Sequence, residues 1–329
     1  MKLKLLCILL TVLFLVSCTN DFWPNGHTNA YSTNTLSRND TASLHVFFIS
    51  DWGFSGSADQ RSVASEMSKM SKLLRLDFIM TCGDNFQIAG VDSVNDPLWK
   101  VNYEQVYADS ALQVPWYPAL GNHDHYGNVN AQVQYSQINK NWNMPATYYS
   151  FAKKVQENCN VKFIVLDTYQ LELDYFNLAD SNAYDSISQY KWLKHELLNT
   201  NSNWIIVTGH YPMYSAGSVH GDTYVLNKIV KPLFEKYNVD FYICGHDHDF
   251  EHAKVKGEYT DYIVTGTSGS IRPTGSNNRT VFSLSSLGFT FLSINKNNIK
   301  LYFINTEGNV TYSFTKNKYQ SGRRNPDLQ

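Results

Sequence analysis

Leu44-His45-Val46-Phe47-Phe48-Ile49-Ser50 runs directly into Asp51-Trp52-Gly53, and this junction sets the reading of the whole chain. A short apolar run is a buried strand, and its abrupt change to a polar, glycine-containing turn marks the strand's carboxyl end. The same unit recurs. Asp77 to Cys82 runs into Gly83-Asp84-Asn85, Trp116 to Leu120 into Gly121-Asn122-His123-Asp124, and Val161 to Leu166 into Asp167. Trp204 to Thr208 then meets Gly209-His210-Tyr211-Pro212, and Phe241 to Cys244 meets Gly245-His246-Asp247-His248. Amphipathic helical intervals separate the strands, so the organisation is α/β. After Glu251 the strands shorten and alternate: TDYIVTG (260–266), GFTFLSI (288–294), IKLYFIN (299–305) and VTYSFTK (310–316). These are expected to form a sheet edge or a second sheet that completes the same domain.

In open α/β sheets the carboxyl ends of the strands emerge on one side, where ligands bind. Polar residues from separate strand ends can therefore meet. Taken singly the motifs are weak, since Gly-Asp-Asn is ordinarily an Asx turn and a lone His after a strand is ordinarily hydrogen-bonded structure. Together they carry more. Packing does not require strand after strand to end in Asp, Asp, Asn, His and His-x-His, whereas metal ions need those oxygen and nitrogen donors.

The rest of the composition bounds the answer. The chain has 329 residues with 43% hydrophobic and 17% charged content, enough for one large catalytic domain over residues 43–316. Its formal net charge of -2 provides no broad basic field, so duplex nucleic acid is excluded as an expected partner. Lys2 and Lys4 precede an apolar run from Leu5 to Val16, which reads as a signal peptide over residues 1–17. Leu15-Val16-Ser17-Cys18 resembles a bacterial lipobox, so Cys18 is the expected lipid anchor of an exported protein of the cell envelope, held to the membrane through a polar, disordered tether over 18–42. Residues 317–329 read as a polar tail. The remaining thiols, Cys82, Cys159 and Cys244, are odd in number and lack metal-type spacing, so no disulfide framework is implied. Cys82 and Cys244 each end an apolar segment, as small buried hydrophobes do.

DWG, GDN, GNHD, GHYP and GHDH, in that order, resemble the calcineurin-like metallophosphoesterase superfamily. VPWYPALGNHD (114–124), GNHDHYGN (121–128), HYPMYS (210–215) and HGDT (220–223) are similar to the small purple acid phosphatases of the tartrate-resistant type. The resemblance implies a two-sheet sandwich flanked by helices, the metallophosphoesterase fold, with a dinuclear metal site at the strand ends. It makes Asp51, Asp84 and His248 ligands of one ion, with Asp84 bridging to a second completed by Asn122, His210 and His246. The implied activity is that of an acid phosphatase hydrolysing phosphate monoesters of small molecules through metal-bound hydroxide. His123 and His220 match the family's substrate-facing histidines and are the candidate proton donors and phosphate-binding groups. Asp124 is expected to orient His123 by hydrogen bonding. His125 and His252 are left outside the site.

Two departures from the family pattern stand out. Gln87, three residues after Asp84, occupies the place of the family's metal-binding Tyr. Gln is a neutral donor, so among iron, zinc and manganese a divalent pair is favoured over a centre containing Fe(III). Between Asp167 and Tyr190 the family has a loop that covers the site, and here residues 168–190 form an acidic stretch without Lys or Arg. Two other functions share much of this reading: a phosphodiesterase or nucleotidase on the same metals, and a non-catalytic envelope binding protein that keeps the fold.

Overall fold

The computed structural model describes residues 31–32 and 42–318. The stretch read as a signal peptide, Cys18, most of the polar stretch that follows it, and the tail beyond residue 318 lie outside the described residues. In chain order the first half contains β1 (Tyr31–Ser32), β2 (Leu44–Ile49), α1 (Ala58–Leu73), β3 (Phe78–Cys82), β4 (Trp116–Ala119), α2 (Val129–Tyr135), β5 (Tyr149–Gln156) and β6 (Cys159–Val165). Next come α3 (Thr168–Phe176), α4 (Ser188–Leu198), β7 (Trp204–Thr208), α5 (Lys231–Lys236), β8 (Phe241–Cys244), β9 (Phe250–Ala253) and β10 (Asp261–Thr265). The chain closes with β11 (Thr280–Leu284), β12 (Gly288–Ile294), β13 (Asn298–Asn305) and β14 (Asn309–Asn317).

Two mixed sheets result. One has the order β1-β14-β13-β12-β2-β3-β4 and the other β11-β9-β10-β8-β7-β6-β5. Strands β2, β3 and β4 are parallel neighbours, as are β6, β7, β8 and β10, while the outer strands pair antiparallel. The late strands therefore divide between the sheets: β12 pairs with β2 and extends the first, whereas β9 and β11 finish the second. Within the stretch read as a tether, Tyr31 and Ser32 pair with Val310 and Asn309 at the edge of the first sheet.

The period-two rule explains how the second sheet buries both faces. Val161, Phe163 and Val165 on β6, Trp204 and Ile206 on β7, and Phe241 and Ile243 on β8 turn inward to the core shared with the first sheet. Phe163 meets Phe78 of β3 edge-on at 5.2 Å across this interface. The alternate residues, including Ile164, Ile205, Val207, Tyr242 and Val264, form a second core with Leu171 and Tyr175 of α3, Leu193 and Leu197 of α4, and Phe234 of α5. Fully buried strands follow naturally from this double cover.

The stretch 168–190, expected to be a loop, is largely helical. The Asp167 carboxylate caps α3 by accepting from Gln170 N at 3.1 Å, a short 3-10 segment spans Ser181–Ser186, and α4 begins at Ser188. The cap was legible only as an Asp before a tyrosine-rich run, because the residues after it show little apolar periodicity.

Candidate metal centre

Each strand-end turn delivers one or two side chains to a single point. Asp51, Asp84 and His246 adopt positive φ values of 53°, 50° and 71°. That left-handed backbone is unfavourable for a residue with a side chain, and it turns each of them back over its own strand end. Glycines give the turns room: a Cβ on Gly121 would lie 2.1 Å from Asp84 Oδ1, and one on Gly245 would lie 2.3 Å from Asp51 Oδ2. Backbone bonds then lock the turns together, with Asp51 N donating to Gly83 O at 3.1 Å and Gly245 N to His210 O at 3.0 Å.

The ligand atoms of Asp51, Asp84 and His210 lie within 4.8 Å of one another, and all three residues are buried. His210 Nδ1 donates to Cys82 O at 2.9 Å, which leaves Nε2 facing the centre. There it lies 3.1 Å from Asn122 Oδ1, 3.2 Å from His246 Nδ1 and 3.4 Å from Asp84 Oδ1. His248 Nε2 approaches Asp51 Oδ1 at 3.3 Å, while its Nδ1 pairs with Ser270 Oγ. The two histidines of the His246-Asp247-His248 turn thus address different sides of one cluster. Asn122, His246 and His248 thus lie against the Asp51, Asp84 and His210 cluster.

Such a crowd of lone pairs is electrostatically costly without positive charge among them. Burial would lower the His210 pKa, but Asp84 and Asp51 outweigh it and push it up to about 9. Burial would raise Asp84, yet the same His210 holds it below the usual carboxylate range. Burial, then the neighbouring His210 and His220, drives His246 far below the ordinary imidazole value. Asp51 Oδ1 and Gln87 Oε1 are both buried without a hydrogen-bond partner. An orphaned carboxylate oxygen among imidazole nitrogens fits borderline and hard metal ions.

Around this cluster the candidate residues separate. The peptide N–H of His123 donates to Asp84 Oδ1 at 3.0 Å, its Nδ1 meets Ile88 O at 3.2 Å, and its Nε2 stands 3.9 Å from Asp84 Oδ2. The His220 ring stacks on His246 with centroids 3.8 Å apart, and its Nε2 accepts from Arg272 Nη1 at 2.9 Å. Asp124 does not orient His123. Its buried carboxylate accepts from Asn85 N, Phe86 N, Gly121 N and Gln132 Nε2, at 2.8–3.1 Å. Burial and the Asp84 charge push this carboxyl up to about 6 against those four donors. Chain adjacency is misleading here because the 3-10 turn from Asp124 to Tyr126 sends consecutive side chains in different directions.

His125 and His252 stay outside the cluster, but neither is a surface residue. His125 Nε2 lies 2.9 Å from the buried Asp167, and His252 is buried on β9 between Tyr312 and Asp261. Cys82 and Cys244 are buried strand-end residues, the Cys82 thiol pushed up to about 12 by burial. Arg272 and Ser270 reach the centre without any motif to announce them. Their one signal is position, because they follow the carboxyl end of β10, on the same side of the sheet as the other turns. Tyr211 also borders the site, its ring 4.5 Å from that of His246.

Comparison with known proteins agrees with this geometry. Tartrate-resistant acid phosphatase type 5 of Homo sapiens is 34% identical over 75% of this chain and 79% of its own length. Purple acid phosphatase 7 of Arabidopsis thaliana is 29% identical over 86% and 89%. Among solved structures, GAP50, described as the anchor in the inner membrane complex of Plasmodium, superposes with a TM-score of 0.75 at 29% identity, covering 85% of this chain and 90% of its own. The purple acid phosphatase PPD1 from yellow lupin seeds shares the fold with a TM-score of 0.64 at 17% identity, over 83% of this chain and 53% of its own. Residues 44–250 match the calcineurin-like phosphoesterase family, and with its purple-acid-phosphatase type of dinuclear site the chain belongs to that family of metal-dependent phosphoesterases.

Proposed function

We propose that this protein is an acid phosphatase specific for phosphate monoesters. Asp51, Asp84 and His248 would hold one metal ion, and Asn122, His210 and His246, with Asp84, would hold a second. The observation that carries the reading is the buried Asp51 Oδ1, which has no hydrogen-bond partner and lies 3.3 Å from His248 Nε2 and 4.0 Å from His210 Nε2. Gln87 adds a neutral donor to this shell, and the reading therefore favours divalent ions. When bound, the ions supply activated water and neutralise charge on the phosphoryl oxygens.

The chain's own residues handle the leaving group. A carbonyl can only accept, so the contact with Ile88 O keeps a proton on His123 Nδ1. The second proton of the imidazolium then sits on Nε2, toward the centre, where the departing alkoxide needs it as the P–O bond breaks. His220 Nε2 accepts from Arg272 and is not free to protonate a leaving group, so the proton transfer falls to His123.

Removal of metal by a chelator should abolish hydrolysis of phosphate monoesters, and adding back zinc or manganese should restore it. Diesters tested in parallel should remain poor substrates. Full monoester turnover after verified metal removal would sink the reading. The Plasmodium neighbour, described as an anchor, supplies the competing possibility of a fold without turnover. The complete donor set argues for turnover here.

A further inference from the structure

Nine large apolar side chains are exposed among the described residues; two of them contact His123 and two more are chain neighbours of His220 and Arg272. Ile88 is 80% exposed and its carbonyl holds His123; Tyr126 is 59% exposed and its ring packs edge-on against His123 at 5.4 Å. On the other bank Val219, 54% exposed, precedes His220, and Ile271, 45% exposed, precedes Arg272. Exposed apolar residues scattered singly mean little, but several gathered about one polar site mark a binding surface. Ile88 is the most telling of the four. Its φ of +84° is unfavourable for a β-branched residue, and at that exposure no packing offsets the strain. Stability alone would favour glycine or asparagine there.

Arg272 adds a charge to this mouth. Its backbone N–H donates to His248 O at 2.9 Å, while its guanidinium reaches His220, which lies on His246. The side chain therefore crosses from the His248 side of the centre to the His246 side. Among the described residues it has no carboxylate partner, so its charge is available to an anion at the centre.

We propose that the centre takes phosphate monoesters of alcohols with an extended apolar chain, with Arg272 on the phosphate and Ile88, Tyr126, Val219 and Ile271 along the chain. This rests on the phosphatase reading and adds the class of substrate. The apolar rim has no use for a sugar or nucleoside leaving group, whose hydroxyls would lose water against it.

The test is calorimetric binding of methyl-, hexyl- and decylphosphonate to the metal-loaded protein, below their micelle concentrations. A fully buried methylene is worth about fourfold in affinity, so a rim that covers part of the chain should give about 10- to 100-fold from methyl to decyl. The double variant Ile88→Ser/Ile271→Ser, altered only at exposed positions, should flatten that dependence while keeping its thermal transition. Arg272→Gln should weaken all three ligands by about 10-fold or more. Equal affinity at every chain length, an unflattened slope in the double variant, or an indifferent Arg272→Gln would overturn the proposal. Hydrolysis of methyl phosphate with no chain-length preference would overturn it and leave the phosphatase reading intact, whereas failure to bind any phosphonate or hydrolyse any monoester would remove both.

Discussion

Gln87 follows Asp84 by three positions, at the end of a turn whose register is fixed by Gln87 N donating to Gly53 O at 2.9 Å. Its Oε1 is buried and has no hydrogen-bond partner, an unfavourable state for an amide oxygen unless a cation meets it. Spacing made Gln87's place in this turn legible, because turn length can be counted in the sequence. What was not legible was the direction of side chains next to one another, as the Asp124 carboxylate shows. Gln87→Tyr should convert the neutral donor into a phenolate that prefers Fe(III). Loaded with iron, the variant should gain a visible charge-transfer band that the iron-loaded wild type lacks, and absorption spectroscopy reads this without any assay of turnover. A band in the wild type would show that another tyrosine, such as Tyr169 or Tyr211, reaches the metal.

At the scale of elements, the parallel strands and their turns were readable because each ends an apolar run at a glycine and a ligand-type residue. Strands β5, β9 and β11 were not. On β5, Lys153 and Lys154 interrupt the pattern, and on β9 Glu251 and His252 look exposed although both are buried. Their burial depends on distant partners: Glu251 accepts from Ser215 Oγ, Ala216 N and Gly217 N, and His252 pairs with Tyr312. No local pattern encodes such contacts. Asp124 is the comparable device at the centre, one carboxylate tying the turn after β3 to the turn after β4 and to Gln132 of α2. Asp124→Asn would confront an amide N–H₂ with N–H donors, at a cost of about 2–3 kcal/mol in stability. It should also weaken metal binding by about 10- to 100-fold through the displaced turns. Urea unfolding and metal titration measure the two effects. Gln132→Ala, which removes one of the four donors together with the acceptor of Asn85 Nδ2, should produce a smaller version of both, and equal effects would show that α2 rather than the turns bears the load.

For the whole molecule, the sandwich was legible as a class, but the assignment of late strands to sheets was not, since pairing is decided by contacts far apart in sequence. One charged network shows what joins the sheets away from the metal centre. Asp261 of β10 accepts from Lys316 of β14 at 2.6 Å, from Lys254 at 3.3 Å and from His252 of β9 at 3.0 Å. The first of these crosses from one sheet to the other. Burial would raise the Asp261 carboxyl, but Lys316, His252 and Lys254 together hold it well below the usual carboxylate range. A folded-state value below the unfolded one, about 3.9, contributes stability above that pH, and the contribution is lost as pH falls toward the folded value. Asp261→Ala leaves the buried Lys316 ammonium and the half-buried Lys254 ammonium without their shared carboxylate, a loss of about 3–5 kcal/mol at neutral pH. Urea midpoints for wild type and variant should therefore differ by that amount at pH 7 and converge below about pH 4, where wild-type Asp261 begins to lose its charge advantage. A gap under about 1 kcal/mol at pH 7, or one that persists unchanged in acid, would mean that the apolar interface around Phe78 and Phe163 joins the sheets unaided.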